Sequence, residues 1–293
     1  MKLAEQIIQQ LIDAGVKRIY GVVGDSLNPI VDAVRESGGS AKGGIDWVHV
    51  RHEEVAAFAA SAEAQVTGEL AVCAGSCGPG NMHLINGLYD AHRSQAPVLA
   101  IASHIPSAQI GTSYFQETHP DRLFAECSSY SEMAINPAQT LRIMNSAMRH
   151  AIGNRGVAVV SIPGDIAAER AVENVPEWGD LRRGAIVPDQ QTIQEIADRI
   201  NKADKVAIFA GAGVEGAHSE LVALADKAAA PVGHSMRGKM FVQYDNPFDV
   251  GLTGLLGFAS GYRAMEEAET VLMLGTDFPY RQFYPEGARF IQV

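Results

Sequence analysis

The chain has 293 residues, 47% of them hydrophobic and 19% charged, with a formal net charge of −11 and a pI near 5.3. That length exceeds one ordinary domain of about 100–200 residues and predicts two. The acidic balance offers no basic patch to neutralise phosphates, which excludes a nucleic-acid partner. Cys73, Cys77 and Cys127 are an odd number of thiols in a chain large enough to fold without staples, so a reducing, cytoplasmic setting is expected.

In chain order, Leu3, Ile7, Ile8, Leu11 and Ile12 recur at helical spacing within 1–16, predicting a surface helix rather than a signal peptide. No stretch approaches the roughly 20 apolar residues that span a bilayer, so no membrane segment is expected. Short apolar runs predict strands over 18–22, 47–50, 70–74, 98–102 and 157–162, and amphipathic runs predict helices over 27–36, 54–67, 82–92 and 138–152. This alternation is the pattern of βαβ units with a parallel sheet covered on both faces. A first domain spans 1–170. From 171 to 191 the periodicity fails, and Pro176, Trp178, Gly179 and Pro188 mark a linker. The second domain, 192–293, predicts helices over 192–201 and 217–229, strands over 206–210, 231–234 and 270–274, and a last run over 289–293. The fold class is therefore α/β, with two doubly wound parallel-sheet domains. Because the chain ends within its last run, the second domain reads as an incomplete Rossmann-like unit.

Two stretches of the first domain carry chemistry. Arg51-His52-Glu53-Glu54 opens the alanine-rich helical run at a strand-to-helix junction. Acids there are explained by the helix dipole alone; alternatively, one of the pair, about 100° from its neighbour around the helix, points into an apolar pocket formed with Ala56, Ala57 and Ala60 and handles a proton. Gly75-Ser76-Cys77-Gly78-Pro79-Gly80-Asn81 either turns the chain from strand to helix or lets a flat ligand approach backbone at the carboxyl end of a parallel sheet. Phe115-Gln116-Glu117 lies in a long irregular stretch over 103–120, a functional loop or a surface loop pinned by one aromatic.

In the second domain Gly211-Ala212-Gly213-Val214-Glu215-Gly216 follows a strand and matches the GxGxxG nucleotide pattern. The next strand ends at His234-Ser235 with no acid to hold a ribose, which argues against a nicotinamide-dependent oxidoreductase. Arg237-Gly238-Lys239 either meets phosphates or is simply solvated. The nine histidines form no HExxH pair and the cysteines no zinc spacing, so no metal-ligand set is predicted. Neither a GxSxG elbow nor a P-loop occurs.

The runs Arg51-His52-Glu53-Glu54-Val55-Ala56-Ala57-Phe58, Thr67-Gly68-Glu69-Leu70-Ala71-Val72-Cys73, Gly75 to Asn81, Phe115-Gln116-Glu117-Thr118-His119-Pro120 and Tyr244-Asp245-Asn246-Pro247 resemble the thiamine-diphosphate-dependent pyruvate oxidases, and within them the bacterial pyruvate dehydrogenases that reduce a quinone. The resemblance extends over the whole chain but only the family's first two domains, the pyrimidine-binding domain and most of the flavin-associated central domain. It implies that Glu53 bonds the ring nitrogen of the cofactor's aminopyrimidine and drives the tautomer that deprotonates the thiazolium. Pyruvate then loses carbon dioxide, FAD takes two electrons, and acetate is released. Cys77, Gly78, Gly80 and Asn81 would flank thiamine diphosphate. Phe115 and Gln116 would border the reacting carbon, and Gly211, Gly213, Arg237, Gly275, Thr276 and Asp277 would lie along FAD.

The same resemblance implies a homo-oligomer, dimer or tetramer, with the thiamine cofactor between the first domain of one subunit and the third of another. The family holds the diphosphate and its Mg2+ with a Gly-Asp-Gly motif in that third domain. Here Gly24-Asp25, Gly164-Asp165 and Gly179-Asp180 all continue without glycine, so Mg2+ is expected only through a third domain absent from this chain. The expected chain is thus a truncated portion of such an enzyme, inactive alone. A non-catalytic flavin- or subunit-binding module and an acetolactate-synthase-like carboligase fragment are the alternatives.

Overall fold

The computed structural model describes residues 1–173, 179 and 181–293; Pro176, Trp178 and Asp180 of the predicted linker lie outside the described residues. The chain forms two compact units, Met1–Ala185 and Ile186–Val293.

The first unit runs α1 (Leu3–Asp13), β1 (Arg18–Gly21), α2 (Asn28–Ser37), β2 (Asp46–His49), α3 (Glu53–Thr67), β3 (Ala71–Gly75), α4 (Pro79–Arg93), β4 (Val98–His104), β5 (Tyr130–Met133), a helix Pro137–Asn154 and β6 (Val157–Pro163). Its six strands are all parallel, in the order β2-β1-β3-β4-β6-β5. Every residue of β3, β4 and β6 is buried, as a sheet covered on both faces requires. One face packs Val72, Leu99, Ile101 and Val160 against Leu3, Ile7, Leu11 and Ile30, and the other packs Cys73, Ala100 and Val159 against Ala57, Ala60, Leu84 and Leu88. β5 escaped prediction because Tyr-Ser-Glu-Met is short, half-exposed and confined to the sheet edge.

Since α3 and α4 both return from a parallel strand, both begin at the carboxyl edge of the sheet. They pack very closely. A Cβ placed on Gly87 of α4 would lie 2.5 Å from the Ala57 Cβ and 2.6 Å from the Phe58 nitrogen, so glycine is the one residue that fits there. This seam brings the first turns of the two helices side by side.

The second unit contains a helix Gln190–Asn201, β7 (Val206–Ala210), a helix His218–Ala228, β8 (Val232–His234), β9 (Asp249–Leu252), a helix Ala259–Glu266, β10 (Thr270–Leu274) and β11 (Arg289–Gln292). The parallel order β11-β10-β7-β8-β9 is, counting strands within the unit, the 3-2-1-4-5 arrangement of a doubly wound nucleotide-binding fold. β8 starts one residue later than expected because Pro231 has no N–H to donate to a ladder. β9 and the helix Ala259–Glu266 were not predicted: β9 is a short edge strand paired across a register shift, and the helix buries only Gly261 and Met265. No helix among the described residues is long and apolar enough to cross a membrane.

Candidate functional site

The connection that leaves β1 runs to β2 on one side, and the one that leaves the adjacent β3 runs to β4 on the other, so the carboxyl edge between β1 and β3 is a topological switch point. Ser26, in the turn after β1, laces this edge together. Its Oγ lies 2.6 Å from Ser103 Oγ and 2.9 Å from Ser76 Oγ, and it accepts the Cys77 N–H at 3.0 Å. One hydroxyl thus joins the turns that follow β1 and β3 to the end of β4.

Glu53 is the first residue of α3, capped by His52, whose Nδ1 accepts the Glu54 N–H at 3.2 Å. The structure separates the two acids: Glu53 turns inward and is 9% exposed, whereas Glu54 is half-exposed and accepts from Asn86 Nδ2. Glu53 Oε2 stands 3.1 Å from His83 Nδ1, one turn into α4. With Glu53 ionised, Nδ1 is the donor. The His52 and His83 rings stack, centroids 4.2 Å apart. Glu53 Oε1 takes no hydrogen bond from the described residues, and a Cβ on Gly80 would sit 3.2 Å from it, so glycine keeps that side open. The wall is not the apolar one expected. Ala56, Ala57 and Ala60 are spent in the seam with α4, and an imidazole faces the carboxylate instead.

The glycine-rich turn is shorter than its sequence suggested. Gly75 ends β3, Gly78 adopts φ 68°, and Pro79 opens α4, so Gly80 and Asn81 are helical and buried. A Cβ on Gly78 would lie 3.1 Å from the Gln116 Cβ, which places Gln116 over the turn. Asn81 Nδ2 donates to the Ser103 carbonyl at 2.8 Å, while its Oδ1 is buried without a partner. Phe115, by contrast, is 82% exposed and touches Tyr114. The loop is shaped by Glu117, which accepts the Gly111 N–H and, at 3.2 Å, the Tyr114 N–H. These donors, Gly111 first, hold the Glu117 carboxyl below the usual carboxylate range. His104, at the end of β4, is 1% exposed with neither ring nitrogen partnered, and burial pushes it below the ordinary histidine range, partly opposed by Glu117.

The fold therefore gathers Glu53, Cys77, Gly78, Gly80, Asn81 and Gln116 at one edge and leaves Phe115 in solvent. His83, Ser26, Ser103 and His104 were missed. His83 had a usable signal, since it sits one turn into a helix that starts beside the one opened by Glu53. Ser26 had none, because its hydroxyl partners lie 50 and 77 residues away in the chain.

In the second unit the corresponding switch point lies between β7 and β10. Gly211 N–H donates to the Leu274 carbonyl and Gly213 N–H to the Gly275 carbonyl, both at 2.9 Å. Cβ atoms on Gly211, Gly213 and Gly275 would meet the facing backbone within 2.6 Å, so these glycines are required by backbone-on-backbone packing. Arg237 and Asp277 are exposed beyond β8 and β10, and Thr276 is half-buried.

Against this geometry, residues 1–123 match the thiamine pyrophosphate enzyme N-terminal TPP binding domain, and residues 193–293 match the thiamine pyrophosphate enzyme central domain. The chain belongs to the thiamine pyrophosphate enzyme family. It is 57% identical, over its whole length, to an uncharacterised 42.6 kDa protein of Pseudomonas amyloderamosa, of which it spans 73%. It is 38% identical over its whole length to a putative thiamine pyrophosphate-containing protein of Bacillus subtilis, and 31% identical over 96% of its length to the pyruvate oxidase of Lactiplantibacillus plantarum. It spans about half of each of these two, 50% and 46%. Acetolactate synthases are among the further relatives.

Proposed function

We propose that this chain supplies the pyrimidine-side half of a thiamine-diphosphate- and FAD-dependent oxidative decarboxylation of pyruvate to acetate and carbon dioxide, with a quinone as electron acceptor. The observation that carries the reading is Glu53: an inward carboxylate with one oxygen tied to His83 and the other left open beside a residue with no side chain. That arrangement fits the edge of an aminopyrimidine ring. Thiamine diphosphate, when bound, supplies an electron sink for the carbon from which carbon dioxide departs. Glu53 Oε1 then exchanges a proton with the ring nitrogen, the work expected of a positioned general acid–base. His83 Nδ1–H holds Oε2 and so fixes which oxygen faces the ring. Ser26 fixes the Ser76–Cys77 backbone beneath it, and Gln116, seated on Gly78, offers an amide to a small 2-oxo acid.

FAD would lie at the β7/β10 edge, along Gly211, Gly213, Arg237 and Gly275 to Asp277, where doubly wound sheets bind nucleotides. No Gly-Asp-Gly occurs in the sequence, so the diphosphate and Mg2+ would be held by the part of the relatives that this chain does not span, brought by a complementing polypeptide, since a second copy of this chain in a homo-oligomer lacks the motif too.

The test is calorimetric titration with thiamine diphosphate and Mg2+, then FAD, followed by pyruvate turnover with an artificial acceptor, repeated for Glu53→Gln and Glu54→Gln in the complemented enzyme. Glu53→Gln should cost about 100-fold or more in rate and Glu54→Gln little; equal losses sink the assignment. The acetolactate synthases among the relatives favour a second reading. Acetolactate in place of acetate as product would select it.

A further inference from the structure

We propose that His52, Glu53 and His83 form a binding site for a borderline divalent transition-metal ion, with Zn2+ as the type, whose occupancy takes Glu53 out of the proton relay. The consequence for catalysis rests on the reading of Glu53 given above; the binding itself does not. Among the described residues these three are the one group of three or more His, Cys, Asp or Glu side chains whose ligating atoms all lie within 4.8 Å of one another.

The donor set is specific. Two imidazoles and a carboxylate, with a fourth position open to solvent, are the ligands of catalytic zinc sites. Mg2+ and Ca2+ prefer oxygen alone, so the proposed ion is distinct from the one that accompanies a diphosphate. Ligand atoms about 2.0–2.2 Å from a tetrahedral ion stand about 3.3–3.6 Å apart, and His83 Nδ1 and Glu53 Oε2, 3.1 Å apart, need to part by only a few tenths of an ångström. The ion would take the place of the proton between these two atoms, which moves to Nε2 of His83, and because protonation of the ligands competes with the ion, binding weakens as pH falls. His52 completes the set by turning out of its stack with His83 and giving up its cap bond to Glu54; its side chain is 46% exposed and has room to do so. Two terms limit the affinity: that rearrangement, and the positive ends of α3 and α4, which both face the ion. Thiols do not compete, because Cys73, Cys77 and Cys127 are all buried.

The experiment is calorimetric titration of the full chain with ZnCl2, with Co2+ as a spectroscopic probe. One Zn2+ per chain is expected. His83→Ala and His52→Ala should each weaken binding at least about tenfold, within the range by which altered metal surroundings lower affinity. His150→Ala, on the helix Pro137–Asn154, should bind as the unaltered chain does. Co2+ should show the visible bands of a tetrahedral nitrogen–oxygen site without a thiolate charge-transfer band. Absence of saturable binding, or undiminished binding by the His52→Ala/His83→Ala double variant, overturns the site and leaves the proton-relay reading to be judged by Glu53→Gln. Zn2+ binding that leaves thiamine diphosphate affinity and pyruvate turnover of the complemented enzyme unchanged overturns the claim that the ion removes Glu53 from the relay.

Discussion

Two glycines one helix apart in role allow folding and site access to be separated. Gly80 and Gly87 both lie in α4, so replacing either by alanine gains helix propensity of up to about 1 kcal/mol. At Gly80 the new methyl would sit 3.2 Å from Glu53 Oε1 and 3.3 Å from the Ser76 Cβ, contacts that a shift of a few tenths of an ångström in two side chains relieves. At Gly87 it would lie 2.5 Å from the Ala57 Cβ and 2.6 Å from the Phe58 nitrogen, and relief requires moving the backbone of α3. Overpacking of this kind costs about 1–3 kcal/mol or more, and in a domain of about 150–250 residues each kcal/mol moves Tm by about 2–4 °C. Taking the upper end of that cost, about 3 kcal/mol, less the roughly 1 kcal/mol gained in propensity, Gly87→Ala should lower the melting temperature of the first unit by about 4–8 °C, while Gly80→Ala stays within about 3 °C of the parent. The Gly80 methyl nevertheless covers the open oxygen of Glu53, so thiamine diphosphate affinity should fall at least about tenfold, some 1.4 kcal/mol. Thermal unfolding followed by circular dichroism and a fluorescence titration with the cofactor read the two effects separately. Equal Tm losses for the two variants, or a Gly80→Ala protein that binds as well as the parent, would refute the reasoning.

Further outcomes are open to direct measurement. Ser26→Ala removes the acceptor for the Cys77 N–H and the shared partner of Ser76 and Ser103, so unfolding in denaturant should show a loss of about 1–3 kcal/mol; an unchanged midpoint would mean water takes the hydroxyl's place. Burial holds the folded pKa of His104 below the ordinary histidine value of 6.5, so the unfolded chain binds the extra proton first, and stability is fully present above about pH 6.5 and falls as pH drops below it. His104→Gln should remove this fall, and parallel Tm-against-pH curves for the two proteins would count against it. Burial pushes the Cys73 thiol up to about 12 and the Cys127 thiol up to about 11, and Cys77 is 4% exposed. A disulfide reagent at pH 8 should therefore label none of the three rapidly in the native chain and all three after unfolding; fast labelling of one native thiol would contradict the packing described for it.

What could be read from the chain followed the strength of the local pattern. β3, β4, β6, β7 and β10 are continuous apolar runs between turn signals, and the structure places them within two residues of their predicted ends. β5 and β9 lie at sheet edges, where one side faces water and polar residues are tolerated, so neither has an apolar run to betray it. At the site, Glu53 and the Gly78–Asn81 stretch were legible because helix starts and glycine turns leave local marks. Which of Glu53 and Glu54 turns inward was not legible from the local pattern, since both satisfy the same dipole preference, and only the family resemblance pointed to Glu53. Phe115 was no more legible: it lies in solvent while its neighbour Gln116 reaches the turn, and an irregular loop leaves no local mark of which way each side chain points.

The seam between α3 and α4 has one more implication, for thermal motion. Its contacting residues are mainly alanine and glycine, which carry almost no rotamers to excite, so the two helices have few soft degrees of freedom through which to slide past one another. Glu53 and His83, each fixed to the start of its own helix, should then fluctuate together rather than independently. Warming the protein should loosen the exposed 111–117 loop long before it lengthens the bond between that carboxylate and its imidazole.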